Sequence, residues 1–141
     1  MTYPVIGEIF ELTLDGTATK NQPLEMVHAD GFNVQNWNHK GPVVRQRETR
    51  RFKLVEVGYC KNLDEVMSKL AVHGRIPPGQ WREAFKVRYR YSRRPVGIAD
   101  ASWVDPMNRA EFPCIYAEGG LGFCGPSYQF DTNWQWLVIY D

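Results

Sequence analysis

The first segment of the chain alternates apolar and polar residues in the manner of a β-strand. Four apolar residues of one parity lie between positions 5 and 14, namely Ile6, Phe10, Leu12 and Leu14. Period-two spacing places such residues on one face of a pleated strand. Asp15-Gly16 then supplies a turn signal. The pattern therefore predicts a strand that ends near residue 14.

Residues 17–43 are more polar and are interrupted by glycine and proline. A short apolar group at Leu24, Met26 and Val27 predicts a strand near 24–28, and the polar stretch 33–40 predicts a long loop. Apolar residues return from Phe52 to Val57, where they predict another strand.

The middle of the chain has a helical pattern over residues 62–73. Asn62 followed by Glu65 has the form of a capping box, with Asn in place of the usual Ser or Thr. An apolar stripe follows at helical spacing: Leu63, Val66, Met67, Leu70 and Ala71. Gly74 stands where a helix commonly ends.

A second helix is predicted over residues 78–88. Pro78 is suited to a first helical turn, where its missing N–H costs nothing. Apolar and basic residues then recur at helical spacing: Trp81, Ala84, Phe85 and Arg88. The alternation from Phe85 to Tyr91 leaves a continuous strand as the alternative.

The last third of the chain predicts short strands joined by turns. Its apolar runs are 96–99, 112–117, 121–123 and 134–140. Gly119-Gly120 between two of them indicates a tight hairpin, and the whole is typical of an antiparallel meander. We expect one α+β domain over residues 1–141, with an antiparallel sheet or partly open barrel and two central helices.

Composition narrows the class of protein. The chain has 141 residues, of which 43% are hydrophobic and 23% charged, so wholesale disorder, collagen and coiled coil are excluded. No basic segment followed by an apolar stretch opens the chain, which predicts no secretory signal. The longest apolar run, 136–140, is far shorter than the roughly 20 residues of a membrane helix. We therefore expect a cytoplasmic protein with no membrane partner.

Charge is uneven although the net charge is only +1. Residues 44–53 carry +4 and residues 82–94 carry +5, so the remainder carries −8. Because Arg binds phosphate and carboxylate with forked donors, we take as candidate binding residues Arg45, Arg47, Arg50, Arg51, Arg88, Arg90, Arg93 and Arg94. In the predicted second helix, Arg82, Lys86 and Arg90 would form one basic stripe. The alternative is that these cations pair with acidic groups within the fold.

Two of the five tryptophans are further candidates for binding. Trp37 lies in an amide-rich loop, and Trp103 lies between Asp100 and Asp105. Tryptophan is enriched at binding hot spots, but a loop tryptophan packed onto the sheet is the alternative. Trp134 and Trp136 share one parity in a predicted strand, where a core position is expected.

Evidence for catalysis is weaker. Asp100 and Ser102, with a cysteine or a loop histidine, form the alternative of a small enzyme, without a local signature. Three widely spaced cysteines predict reduced thiols, with a Cys114–Cys124 bridge in a hairpin as the alternative. Neither Cys nor His has the spacing of a zinc site, so we predict no metal and no cofactor.

The sequence therefore favours a non-catalytic binding module with an arginine-rich and tryptophan-bearing surface. Its partner is predicted to be a protein or a polyanion such as nucleic acid. A small enzyme and a homo-oligomeric structural subunit are the alternatives.

Overall fold

The secondary structure is drawn from a computed structural model that describes residues 3–89, 94–125 and 128–140. The elements, in chain order, are β1 (Phe10–Asp15), a 3-10 turn (Thr19–Asn21), α1 (Pro23–Ala29), β2 (Asn38–His39), β3 (Arg47–Val55), α2 (Leu63–Leu70), α3 (Trp81–Arg88), β4 (Val96–Gly97), β5 (Trp103–Val104), β6 (Ala110–Ile115), β7 (Leu121–Cys124) and β8 (Gln135–Ile139).

One eight-stranded sheet organises these elements. Its strand order is β1-β3-β8-β4-β6-β5-β2, and β7 pairs with β6 beside this path. The strands pair antiparallel except β4 and β8, which run parallel. The predicted α+β class is confirmed, with a mixed sheet that does not close into a barrel.

Strand parity separates two hydrophobic layers on opposite faces of the sheet. In β8, Leu137 and Ile139 join the cluster of α3, whereas Trp136 and Val138 join the cluster of α2. Successive side chains of a strand point to opposite faces, so one strand supplies both layers. The sheet is thus the middle layer between α2 and α3.

The helix α2 forms for the local reasons that predict it. The Asn62 side-chain oxygen accepts a hydrogen bond from the Glu65 N–H at 3.0 Å, and Leu63, Val66 and Leu70 are buried. The helix ends at Leu70, a turn before the predicted end. Gly74 is needed for close approach, because a Cβ there would lie 2.3 Å from the Ile139 carbonyl oxygen.

The helix α3 is also confirmed, and the alternative of a continuous strand from residue 85 is wrong. It begins at Trp81 rather than at 78, since residues 78–80 form a turn in which the Trp81 N–H bonds the Pro78 carbonyl at 3.1 Å. Trp81, Ala84 and Phe85 face the hydrophobic cluster on β1, β3 and β8.

The strand predicted near 24–28 is wrong, because this segment is the helix α1. Pro23 occupies the first helical turn, and the buried residues Pro23, Met26 and Val27 recur at helical spacing. Leu24, which suggested an alternating pattern, is exposed.

The predicted hairpin at Gly119-Gly120 is confirmed. β6 and β7 pair antiparallel, and the Tyr116 carbonyl accepts the Gly119 N–H at 2.8 Å across the turn. Gly119 has a φ of 88°, a left-handed conformation that glycine adopts at little cost.

Asn62→Ala should lower the free energy of unfolding by about 1 kcal/mol, because the substitution removes the cap of α2. Urea denaturation monitored by circular dichroism measures the change. The control is Ser68→Ala, at an exposed position of the same helix, which should stay within about 0.5 kcal/mol of wild type. Equal losses in the two variants would contradict a capping role.

Candidate functional site

The strand β3 carries basic side chains on one face of the sheet. Arg47, Arg51 and Lys53 share one parity, and Arg45 continues that parity just before the strand. The three arginines are exposed and Lys53 is half-buried. We call Arg47, Arg51 and Lys53 the cationic face.

The cationic face is exposed because the helix layer covers only part of the sheet. The opposite parity of β3, Phe52 and Leu54, is buried in the cluster with α3. On the side of the cationic face, the α2 layer covers Val55 and its neighbours but not the first half of the strand. The first half of β3 therefore presents its odd-numbered side chains to solvent.

Acidic residues of β1 lie across from two of these arginines. Glu11 is opposite Arg51, and Asp15 is opposite Arg47. Even so, within the described ranges no carboxylate oxygen comes within 4.0 Å of Arg45 or of the cationic face. Among the described residues, these cations therefore have no ion-pair partner, although the charge of Arg47 helps to lower the pKa of Asp15.

An aromatic ring orders two of the cations. The Arg51 guanidinium carbon lies 5.3 Å from the centre of the Tyr140 ring, and the Lys53 ammonium nitrogen lies 5.4 Å from it. Cation–π attraction of this kind is worth about 0.5–1 kcal/mol at exposed sites. Tyr140 thus holds Arg51 and Lys53 beside each other, a contact that the sequence analysis missed.

Three other candidate arginines, Arg50, Arg88 and Arg94, have partners within the fold. Arg50, on the opposite parity, pairs with Glu48 at 3.3 Å, and Arg94 pairs with Glu56 at 2.8 Å. The Arg88 guanidinium donates to the Glu11 carbonyl and lies 5.4 Å from the Tyr89 ring centre. Arg90 and Arg93 lie outside the described residues.

Arg82 is the strongest departure from the predicted basic stripe. Its side chain is 1% exposed and forms a bidentate pair with Asp30, at 2.7 and 2.9 Å. Nε and Nη2 also donate to one oxygen of Glu83, and Nη1 donates to the Gly122 carbonyl at 3.2 Å. All five guanidinium N–H donors are therefore used, and the Phe123 ring centre lies 5.3 Å from the guanidinium carbon.

The charges of this buried network support one another. Burial alone would lower the pKa of Arg82, but the hydrogen bonds and charges of Asp30 and Glu83 hold it above its ordinary value. Burial raises the pKa of Asp30, and the hydrogen bond from Arg82 opposes that rise. Lys86 adds a contact to Glu83 at 2.7 Å. Arg82 and Lys86, two members of the predicted basic stripe, are thus neutralised by Asp30 and Glu83.

The two candidate tryptophans lie in the interior, which corrects the prediction of a tryptophan-bearing surface. Trp103 is 0% exposed, and its Nε1 donates to the Pro23 carbonyl at 2.9 Å. Trp37 packs with Trp103, Phe123 and α1 in a third hydrophobic cluster. Both indoles pack between α1 and the sheet. Trp37 is therefore a loop tryptophan packed onto the sheet, which is the alternative interpretation of this residue.

Asp100 and Ser102, the centre of the alternative enzyme, contact each other by Oδ1 and Oγ. The other carboxylate oxygen of Asp100 accepts the Gly79 N–H at 2.7 Å. Burial lowers the pKa of His39, while Asp100 opposes the change. The bonds to Asp100 fasten the connector before α3, a structural role that accounts for them.

Asp105 and Glu111 form a carboxyl pair beside the candidate Trp103, since Glu111 is opposite Trp103 in the β5–β6 pairing. Asp105 accepts hydrogen bonds from the backbone of Met107 and Arg109, each at 2.9 Å, and from the Arg109 side chain at 3.0 Å. A hydrogen bond with Glu111, together with those bonds, lowers the pKa of Asp105 to about 2. Burial, with Asp105 beside it, raises the pKa of Glu111 to about 8. At neutral pH these shifts favour a protonated Glu111 beside an ionised Asp105.

Two clefts flank α3. The first, of about 480 Å³, lies between α3 and β1, and the second, of about 520 Å³, lies between α3 and the β6–β7 turn. Asp100, Ser102 and His39 line neither of these clefts.

Comparison of the chain with protein-family models, with curated proteins and with solved structures finds no match. None of the helices in the described ranges has the length and apolar character to span a bilayer. The same residues contain no group of three His, Cys, Asp or Glu side chains placed to hold a metal ion.

Arg82→Leu should destabilise the protein by about 3–5 kcal/mol, because Asp30 would remain as a buried acid without its cation and Glu83 would keep only its contact with Lys86. Chemical denaturation measures the loss. Arg94→Leu, which breaks the surface pair with Glu56, is the control and should cost less than about 1 kcal/mol. A loss below about 1 kcal/mol for Arg82→Leu would show that the network does not hold the fold together.

Glu111 should make stability fall as the pH rises from 4.5 to 8, the interval between its ordinary and its raised pKa. In this interval the folded state binds the proton that the unfolded state has released, so alkali favours unfolding. In Glu111→Gln, the loss of unfolding free energy between pH 4.5 and 8 should be smaller than in the wild type by about 1–2 kcal/mol. The difference is limited to this size because solvent screens a partly exposed carboxyl group. Thermal unfolding at several pH values measures it. Glu118→Gln, an exposed change in the β6–β7 turn, should retain the wild-type profile.

Proposed function

We propose that the protein is a binding module that holds a polyanionic partner, nucleic acid by its phosphate groups, on the cationic face of β3. The observation that carries the proposal is that Arg47 and Arg51 are exposed, and Lys53 is half-buried, on one strand face with no carboxylate oxygen within 4.0 Å among the described residues.

Phosphate is the anion that suits these donors. A guanidinium group presents its donors as a planar fork that matches phosphate oxygens. Residues two apart on a strand lie about 6.8 Å apart, so the face offers a row of separate contacts rather than one pocket. A row suits a linear polyanion better than a small anionic ligand.

The acidic residues of β1 restrict the directions in which a bound anionic chain can extend from the cationic face. Glu11 and Asp15 border the cationic face on the β1 side, where they repel an anion. On the β8 side, Lys53 is opposite Val138, and Tyr140 follows beyond the end of that strand. An anionic chain is therefore directed along β3 or toward β8.

The double variant Arg47→Gln/Arg51→Gln should weaken binding of labelled, mixed-sequence single-stranded DNA by about tenfold or more at low salt. The slope of log affinity against log salt concentration should fall by about 1.4, since two phosphate contacts are lost. Fluorescence anisotropy at several salt concentrations measures both quantities, and heparin chromatography provides a second readout.

The matched control is Arg50→Gln/Arg94→Gln, which removes the same charge from two arginines paired with Glu48 and Glu56. It should keep most of the affinity. Equal weakening by the two double variants would assign the effect to net charge. Absence of wild-type binding at low salt would overturn the proposal.

A further inference from the structure

Two cysteine sulfur atoms face each other across the β6–β7 hairpin. The Sγ atoms of Cys114 and Cys124 are 3.3 Å apart. In the strand register, Cys114 is opposite Gly122 and Cys124 is opposite Phe112, so the cysteines are diagonal neighbours. Because Gly122 has no side chain, nothing from that position separates the two sulfur atoms.

Both cysteines of the pair are buried, but their exposed fractions differ. Cys114 is 0% exposed, whereas Cys124, the last residue of β7, is 6% exposed. Cys60 belongs to the same hydrophobic cluster, but its Sγ contacts the Gly58 carbonyl at 3.8 Å. Cys124 is therefore the member of the pair that a reagent from solvent meets first.

The surroundings also distinguish the two thiols. Hydrogen bonds from Cys114 and from the Tyr116 hydroxyl, which lies 3.8 Å from Cys124 Sγ, lower the pKa of Cys124. The hydrogen bond that Cys114 makes with Cys124, together with burial, raises the pKa of Cys114. This asymmetry suits Cys124 as the attacking sulfur and Cys114 as the resolving sulfur.

We propose that Cys114 and Cys124 are a thiol pair that forms a reversible disulfide by exchange with a small disulfide such as oxidised glutathione.

The exchange takes place in two displacements. The Cys124 thiolate attacks one sulfur of the small disulfide, which forms a mixed disulfide and releases one small thiolate. Cys114 then loses its proton and attacks Cys124 Sγ, which forms the Cys114–Cys124 bond and releases the second small thiolate. The cysteines lose two electrons and two protons, and the small disulfide becomes two thiols.

The two sulfur atoms already lie within contact distance of each other. The sulfur atoms need to approach from 3.3 Å to about 2.05 Å, a movement within reach of side-chain rotation. The Arg82 Nη1 contacts the carbonyl oxygens of both Cys114 and Gly122, at 3.5 and 3.2 Å. It thereby holds the two strands in register on either side of the bond that forms.

The test exposes the reduced wild-type protein to oxidised glutathione at pH 8, followed by acid quenching and alkylation of the remaining thiols after denaturation. The expected product has one alkylated thiol, Cys60, and no bound glutathione. Digestion after glutamate residues cleaves at Glu118, between the two cysteines, so the bond is seen as a linked pair of peptides. Dithiothreitol should restore three alkylatable thiols.

Single variants separate the roles. Cys114→Ser should accumulate glutathione on Cys124, because the resolving thiol is absent, and Cys124→Ser should form no intramolecular bond. Cys60→Ser is the matched control and should oxidise at the wild-type rate. Three alkylated thiols in the oxidised wild type, or a linkage to Cys60, would overturn the proposal without reference to the folding of any variant.

Discussion

The buried guanidinium group of Arg82 is the interaction on which the arrangement of elements depends. It joins the end of α1 through Asp30, its own helix through Glu83, and β7 through the Gly122 carbonyl. An ion that is removed from water requires partners at each of its donors, since an unpaired buried charge costs several kcal/mol. The three segments are far apart in the chain, so the guanidinium group selects one relative placement of them.

The same interaction decides which charges remain at the surface. Arg82 and Lys86 are neutralised by Asp30 and Glu83, and Arg94 is paired with Glu56. Among residues 3–89, 94–125 and 128–140, the first basic segment has no equivalent set of acids within ion-pair distance, apart from the Arg50–Glu48 pair. The two basic segments have similar charge in the sequence, but their cations differ in the fold. In the described part of the chain, only β3 keeps a row of cations without ion-pair partners.

Features that depend on neighbouring residues could be predicted from the sequence, whereas contacts between distant segments could not. The cap at Asn62 and the stripe of α2 lie within one helix, and the hairpin at Gly119 lies within one turn. The burial of Trp103, by contrast, depends on α1 packing above it, and the sequence gives no distance between them. The first half of β3 was missed as a strand because its exposed residues are Arg and Thr, which carry no hydrophobic alternation. The basic residues Arg45, Arg47, Arg51 and Lys53 nevertheless share one parity in the sequence, interrupted by Thr49, and in the strand this parity places Arg47, Arg51 and Lys53 on one face.

The cationic face and the thiol pair are independent parts of one molecule. In the sheet order, β8 and β4 separate β3 from β6, which places the two strands about 14 Å apart. The hairpin of Cys114 and Cys124 is tied to the core through Arg82, and β3 is tied to it through Phe52 and Leu54. A disulfide that forms by side-chain rotation leaves Arg82 and its carbonyl contacts in place. The proposed disulfide would join β6 to β7 only, so the cationic face on β3 does not depend on it, and either property persists if the other is absent.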